Sequence, residues 1–353
     1  MRKLLAWVVC FSVISLNLFA TNETVDEFVA RYMKAKQIPG LAVLVKQNGK
    51  IVRSQGYGYS NLEHMVPVKP ETIFESGSVG KQFTATAIMM LVEEGKLQVT
   101  DPISKYLSVP DSWKNITIHH MLSHTSGLGD YPEDFDLQKN YTEDDMLKMI
   151  TAQPLGFQPG EKWNYSNLAY VTLGILIHKL SGKFYGDYLA EHVFRPLDMK
   201  TTRIINEADI IPNRAAGYRL VNNQVKNQEW VSPSLNTTAD GSLYFTIEDL
   251  AKWDSALETE KLLKKSSLEK MWTPVVLNDG TPQPYGYGWE IFKTKNGSKL
   301  VEHSGEWQGF TTHIARYLGD RLTVVVLCNM ANTDTGYIAH RIAGIYNHDY
   351  APP

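Results

Sequence analysis

The sequence predicts an α+β fold in which an antiparallel sheet, assembled from both ends of the chain and flanked by helices, receives a mostly helical insertion. Two observations predict it. Extended segments bounded by turn dipeptides occur near residues 41–59 and again after residue 285, whereas the stretch between them reads mostly as helix and loop. With 353 residues, 43% hydrophobic and 21% charged, the chain has material for one large core or two smaller ones.

In chain order, Arg2 and Lys3 precede an apolar stretch from Leu4 to Phe19, followed by Ala20 and the polar Thr21-Asn22-Glu23. This is the pattern of a signal peptide over residues 1–20, which implies a periplasmic or secreted protein with no membrane span after cleavage. Removing Arg2 and Lys3 takes the formal charge from -3 to -5. No basic face remains for a phosphate backbone, so nucleic acid is not an expected partner. Cys10 lies in the same segment, which leaves Cys328 alone and no internal disulfide.

Val25, Phe28, Val29, Tyr32 and Met33 recur at helical spacing up to the Ile38-Pro39-Gly40 stop. Leu41–Gln47 and Ile51–Tyr59, joined by Asn48-Gly49, should pair as a hairpin. Further strands are expected at Tyr285–Phe292, Lys299–His303, Phe310–Leu318 and Leu322–Asn329. A final helix over Thr335–Tyr346 aligns Ile338, Ile342, Ala343 and Ile345 to cover a sheet face. Helical runs between the two β regions fall at Phe83–Glu94, Thr142–Ala152, Leu168–Leu180 and Ile247–Leu257. The expected organisation is a sheet domain of residues 21–75 plus 271–353 and a helical domain of residues 76–270, acting as one catalytic unit. With no coiled coil or long exposed apolar stripe, a monomer is expected.

Three segments carry candidate chemistry. In the first, Ser78 opens an apolar helix, where free backbone N–H groups and the positive end of the dipole suit a nucleophile and its oxyanion. Lys81, three residues on, shares that face, and burial would make its neutral amine accessible as a base. Ser-x-x-Lys alone is weak, and Ser267-Leu268-Glu269-Lys270 repeats it among Lys261, Lys264 and Lys265, on what reads as a solvated helix face. A phosphate loop is disfavoured because Glu75 and Gln82 replace the required Gly and Ser or Thr, and no Gly-x-Ser-x-Gly elbow occurs.

The second segment, Tyr165-Ser166-Asn167, follows a Pro159-Gly160 loop and could present a phenol, acidified by a neighbouring lysine, and an amide to one cleft. A similar Tyr59-Ser60-Asn61 reads as a strand end and turn. The third, His303-Ser304-Gly305-Glu306, continues a strand into a glycine that permits close approach to the backbone. His119, His120 and His124 lack metal-ligand spacing, so neither metal nor other cofactor is expected.

Ser78-x-x-Lys81, Tyr165-x-Asn167 and His303-x-Gly305, in this order, resemble the motifs of class C β-lactamases, D-Ala-D-Ala carboxypeptidases and related esterases and D-aminopeptidases within the serine β-lactamase/penicillin-binding superfamily. Leu122–Leu128, Pro159-Gly160-Glu161-x-Trp163 and Gly241-Ser242-Leu243 are similar to the same family, so the resemblance spans the mature chain. It implies the serine β-lactamase/transpeptidase-like fold, with a five-stranded antiparallel sheet, and a serine hydrolase working through an acyl-enzyme. It also implies Ser78 as nucleophile, Lys81 and Tyr165 as proton carriers and Asn167 as a substrate-orienting side chain. Backbone N–H groups of Ser78 and Glu306 would bind the oxyanion.

The third motif departs from the Lys-Thr-Gly usual in β-lactamases. A largely neutral His303 and an acidic Glu306 disfavour substrates with a free carboxylate, by about 4 kcal/mol for two carboxylates 4 Å apart at an effective dielectric near 20. The expectation is therefore a small ester or amide substrate, with β-lactam hydrolysis, cell-wall peptide cleavage by a D-Ala-D-Ala carboxypeptidase, or a non-turnover penicillin-binding sensor as the alternatives.

Overall fold

The computed structural model describes residues 23–350, so the signal-peptide segment lies outside the described residues. The first helix, α1 (Val25–Lys36), is started by a capping box between Thr24 and Glu27 and stopped at Gln37, whose φ is 55°. The hairpin of β1 (Gly40–Gln47) and β2 (Lys50–Asn61) follows. Its turn residues Asn48 and Gly49 have φ of 52° and 78°, as a two-residue hairpin loop requires. A two-residue β3 (Val66–Pro67) pairs with the far end of β2.

The helical segment then contributes α2 (Lys81–Glu93), α3 (Ile118–Leu122), α4 (Glu143–Ala152), α5 (Asn167–Ser181), α6 (Tyr185–Leu189), α7 (Ile247–Ala256) and α8 (Lys265–Met271). The chain returns to the sheet through β4 (Glu290–Lys293), β5 (Lys299–Trp307), β6 (Phe310–Tyr317) and β7 (Leu322–Cys328), and closes with α9 (Thr335–Tyr346).

These strands form one antiparallel sheet in the order β4-β5-β6-β7-β1-β2-β3. It has seven strands rather than five. Beyond five central strands lie the edges β3, too brief to carry alternation, and β4, which begins within the expected Tyr285–Phe292 strand. The segment Tyr285–Phe292 is not one strand. Gly288, at φ 73°, turns the chain back so that Tyr285 bridges Glu290, and β4 begins only there.

The central strands are buried on both faces, which explains their near-continuous apolar sequences. Leu41, Val43, Val45, Val324, Val326 and Cys328 pack with Phe28 and Val29 of α1 and Ile338 and Ile342 of α9. The alternate residues Ala42, Leu44, Val325 and Leu327 join a larger core with α2, α5 and α7. Helix α2 is apolar nearly all round and correspondingly buried, which fixes the turn that precedes it.

A buried charge cluster ties the insertion to the sheet. Asp254 of α7 accepts hydrogen bonds from Lys46 Nζ of β1 (2.6 Å), Arg316 Nε of β6 (2.6 Å) and the Thr323 hydroxyl of β7 (2.8 Å). Burial raises the Asp254 pKa, but Arg316 and Lys46 outweigh that and hold it below the usual carboxylate range. The second Ser-x-x-Lys copy lies on α8, where the sequence expectation needs correction: Ser267 is buried, its hydroxyl donating to Glu93, while Lys264, Lys265, Glu269 and Lys270 stay exposed. It touches no part of the site below.

Asp254→Ala should lower unfolding stability by about 3–5 kcal/mol, because it leaves two buried cations without a counter-charge. Urea denaturation of the variant against the parent measures this.

Candidate active site

Ser78 lies in the single 3-10 turn Gly77–Gly80 that runs directly into α2, and Lys81 is the first residue of that helix. The Lys81 side chain is wholly buried. Its Nζ donates to Ser78 Oγ (3.0 Å), Asn167 Oδ1 (2.7 Å) and the carbonyl of Asp240 (2.5 Å). Rings of Tyr165 and Tyr170 lie 4.9 and 5.5 Å from the same nitrogen. Burial lowers the Lys81 pKa to about 8, overcoming the opposing pull of Asp240 and Asp130. A neutral amine touching the serine hydroxyl is thus accessible near neutral pH.

Tyr165 is also brought to this point, but with a different proton affinity from the one its neighbour suggests. Burial pushes its phenol well above the ordinary value, and the nearby Ser78 only partly offsets the effect. The lysine fails to acidify it because Nζ meets the ring face, and the hydroxyl has no hydrogen-bond partner. Tyr165 therefore holds its proton.

Asn167 opens α5 rather than sitting in a loop. Its Oδ1 accepts from Lys81 and its Nδ2 donates to Asp130 Oδ2 at 2.9 Å, so the amide first serves to position the lysine while it lines the cleft. Asp130, Asp240 and Tyr285 are additions to the sequence candidates. Asp130 and Asp240 border segments similar to the family, Leu122–Leu128 and Gly241-Ser242-Leu243, but an acidic residue beside a glycine carries no further signal.

The third motif meets the serine turn by backbone contact. A Cβ on Gly305 would lie 2.3 Å from the Ser76 carbonyl oxygen and 2.8 Å from Ser78 N, and one on Gly77 would lie 2.3 Å from Glu306 N. The amide nitrogens of Ser78 and Glu306 are thereby gathered at one spot. Along His303–Trp307, β5 pairs with β6 on one side, whereas β4 pairs only as far as Glu302 on the other, leaving that edge open beside Ser78.

His303 is buried, with Nε2 2.9 Å from the Tyr285 hydroxyl and Nδ1 2.5 Å from the Ser304 carbonyl oxygen. Burial drives its pKa down to about 3, despite the bond to Ser304, so it is neutral as expected. The exposed Glu306 is turned away from the oxyanion position to the extent that Oε1 accepts the Asn332 N–H at 3.0 Å, which weakens the repulsion expected from its charge. His119 pairs with Tyr287, His120 caps α3 and His124 accepts from the Ser166 N–H; all three hold structure.

Two compartments meet at Ser78. One, about 280 Å³, is walled by Tyr131, Phe135, Leu137, Leu235 and Trp307. The other, about 460 Å³, is bordered by Tyr165, Glu290, His303, Thr311, His313 and Asp334.

The beta-lactamase family profile matches residues 25–346. The chain belongs to the beta-lactamase family. Among its relatives, this beta-lactamase-family hydrolase is 32% identical over 313 residues to penicillin-binding protein 4* of Bacillus subtilis, covering 84% of this chain and 69% of that one. An octameric penicillin-binding protein homologue from Pyrococcus abyssi superposes with a TM-score of 0.82 at 30% identity, over 91% of this chain and 76% of the other. The penicillin binding protein of Bacillus halodurans gives 0.79 at 29% identity, over 90% and 98%.

Gly305→Ala should separate β5 from the serine turn and cost about 1–3 kcal/mol through overpacking. Thermal unfolding together with the rate of Ser78 acylation reads both effects, and an unchanged acylation rate would contradict the close packing assigned to Gly305.

Proposed function

We propose that this family member hydrolyses small esters or amides that carry no carboxylate near the scissile bond, with Ser78 as nucleophile and Lys81 as its resting base. The observation that carries the proposal is the buried Lys81 amine, hydrogen-bonded to Ser78 and with its pKa brought to about 8. Neutral Lys81 takes the Ser78 proton as Oγ attacks the carbonyl carbon. The oxyanion then lies between the N–H groups of Ser78 and Glu306. Tyr165, held protonated, can pass its proton to the leaving oxygen or nitrogen, and the proton taken up by Lys81 must reach it through Ser78 or water, since Lys81 Nζ lies over its ring rather than at its hydroxyl. Water attacks the resulting acyl-enzyme by the reverse relay.

Two features support the substrate class. The apolar compartment suits an aliphatic or aromatic acyl or side-chain group. Among the described residues lining either compartment there is no lysine or arginine, and His303 is neutral, so apart from the buried Lys81 beside Ser78 a substrate carboxylate would find acids and no cation. We also propose export through residues 1–20 and a monomeric state. The mass of the secreted protein tests the first; light scattering, with an octamer as the contrasting result, tests the second.

Purified protein should cleave p-nitrophenyl butyrate faster than nitrocefin or a D-Ala-D-Ala peptide, with all turnover lost in Ser78→Ala. Fast nitrocefin turnover would make it a working β-lactamase, a labelled serine without turnover would make it a sensor, and dominant peptide cleavage would make it a carboxypeptidase.

The lowered Lys81 pKa sets a sign for the pH dependence. Below about 8 the amine is protonated and cannot accept the Ser78 proton; above it the base is free. Phosphonylation of Ser78 by an uncharged fluorophosphonate, with loss of fluoride, should therefore rise as pH increases through about 8, and Lys81→Met should slow it by about 10²–10⁴-fold. A flat profile through that region would rule out Lys81 as the base.

A further inference from the structure

Beside the polar compartment, on the sheet face covered by α9, three side chains from separate elements converge. Glu302 of β5 and His313 of β6 are buried neighbours, and His340 projects from α9. Both imidazoles direct Nε2 at the same carboxylate oxygen, Glu302 Oε2, each at 3.2 Å. We propose that these three residues form a binding site for a divalent transition ion of the zinc class, clamping α9 to the strands that carry the third motif.

The spacing admits an ion as well as a hydrogen-bonded triad. Charge-assisted hydrogen bonds draw in to about 2.7–2.9 Å, whereas ligand atoms held about 2.0–2.2 Å from a tetrahedral ion sit about 3.3–3.6 Å apart. The observed 3.2 Å contacts lie at the long end of the hydrogen-bond range and just short of the ligand spacing, and all three ligand atoms lie within 4.8 Å of one another. Two imidazoles and one carboxylate are a donor set that suits zinc.

The surroundings fit as well. The Tyr317 hydroxyl lies 2.6 Å from His340 Nδ1 and orients that ring as an outer partner would, with Nδ1–H donating to the phenol oxygen once Nε2 binds metal. His313 is buried and presents Nε2 to the cluster, while its Nδ1 has no hydrogen-bond partner among the described residues. Glu290, opposite Glu302 in register, contributes no atom to the cluster, so the fourth position is left for water. None of the three is a nucleophile or proton carrier in the proposed hydrolysis, so an ion here leaves the Ser78 chemistry untouched, although it would place a cation beside the compartment that His313 borders.

Dialysis of the full protein against a chelator, followed by titration with Co²⁺ under visible absorption and then competition by Zn²⁺, tests the site. One saturable equivalent with the absorption of a tetrahedral nitrogen and oxygen site is expected, and Zn²⁺ should raise the thermal unfolding midpoint. Glu302→Gln and His340→Ala should abolish binding, and Tyr317→Phe should weaken it about 10- to 100-fold. Circular dichroism confirms that each variant is folded, and the wild-type titration needs no variant. Absence of saturable binding to the wild type, or undiminished binding in both ligand variants, would overturn the site.

Discussion

The burial of the Lys81 ammonium is the constraint on which the site depends. A charged amine removed from water is tolerated only where acceptors meet it, and here they come from three distant stretches: Ser78, Asn167 and the carbonyl of Asp240. The serine turn, the start of α5 and the segment before Gly241 are therefore held around one nitrogen. The same burial lowers the proton affinity of the amine, so the force that gathers the site also makes the neutral amine accessible. Tyr165 shows the counterpart: equal burial makes a phenol hold its proton more firmly. One desolvated pocket thus yields an acceptor and a donor side by side.

That pocket lies at the seam between the sheet and the helical insertion, and two kinds of contact keep the seam closed. Near Ser78 the contacts are backbone on backbone. Gly77, Gly241 and Gly305 approach so closely that a methyl group at any of them would strike main-chain atoms within 3 Å. Farther away, Asp254 joins α7 to β1, β6 and β7 through three buried hydrogen bonds. The first contact sets where the two amide nitrogens sit, and the second keeps the layers that carry them from sliding.

Several elements are legible in the amino-acid sequence alone. Thr335–Tyr346 and the Asn48-Gly49 hairpin follow from periodicity and turn chemistry, and the three motifs single out Ser78, Lys81 and Tyr165 because the family resemblance adds order and context to otherwise weak patterns. The departures have physical causes. A short edge strand such as β3 carries too few residues to show alternation, and Gly288 breaks what reads as a single strand from Tyr285. Adjacency to a cation predicts an acidified tyrosine only while burial is left out. The charge of Glu306 opposes a substrate carboxylate less than its place in the chain suggests, because the Asn332 N–H draws it aside.

By itself, then, the sequence determined the fold class, the central strands, and the apolar helix that carries Ser78 and Lys81. Those depend on local periodicity, on spacing within one helix and on side-chain chemistry that each residue carries with it. Only the tertiary structure decided the proton affinities, the engagement of Asn167 by Lys81 and Asp130, the neutrality and pairing of His303 with Tyr285, and the meeting of Glu302, His313 and His340. Each of these depends on desolvation and on distances between residues far apart in the chain, quantities that exist only once the layers have packed.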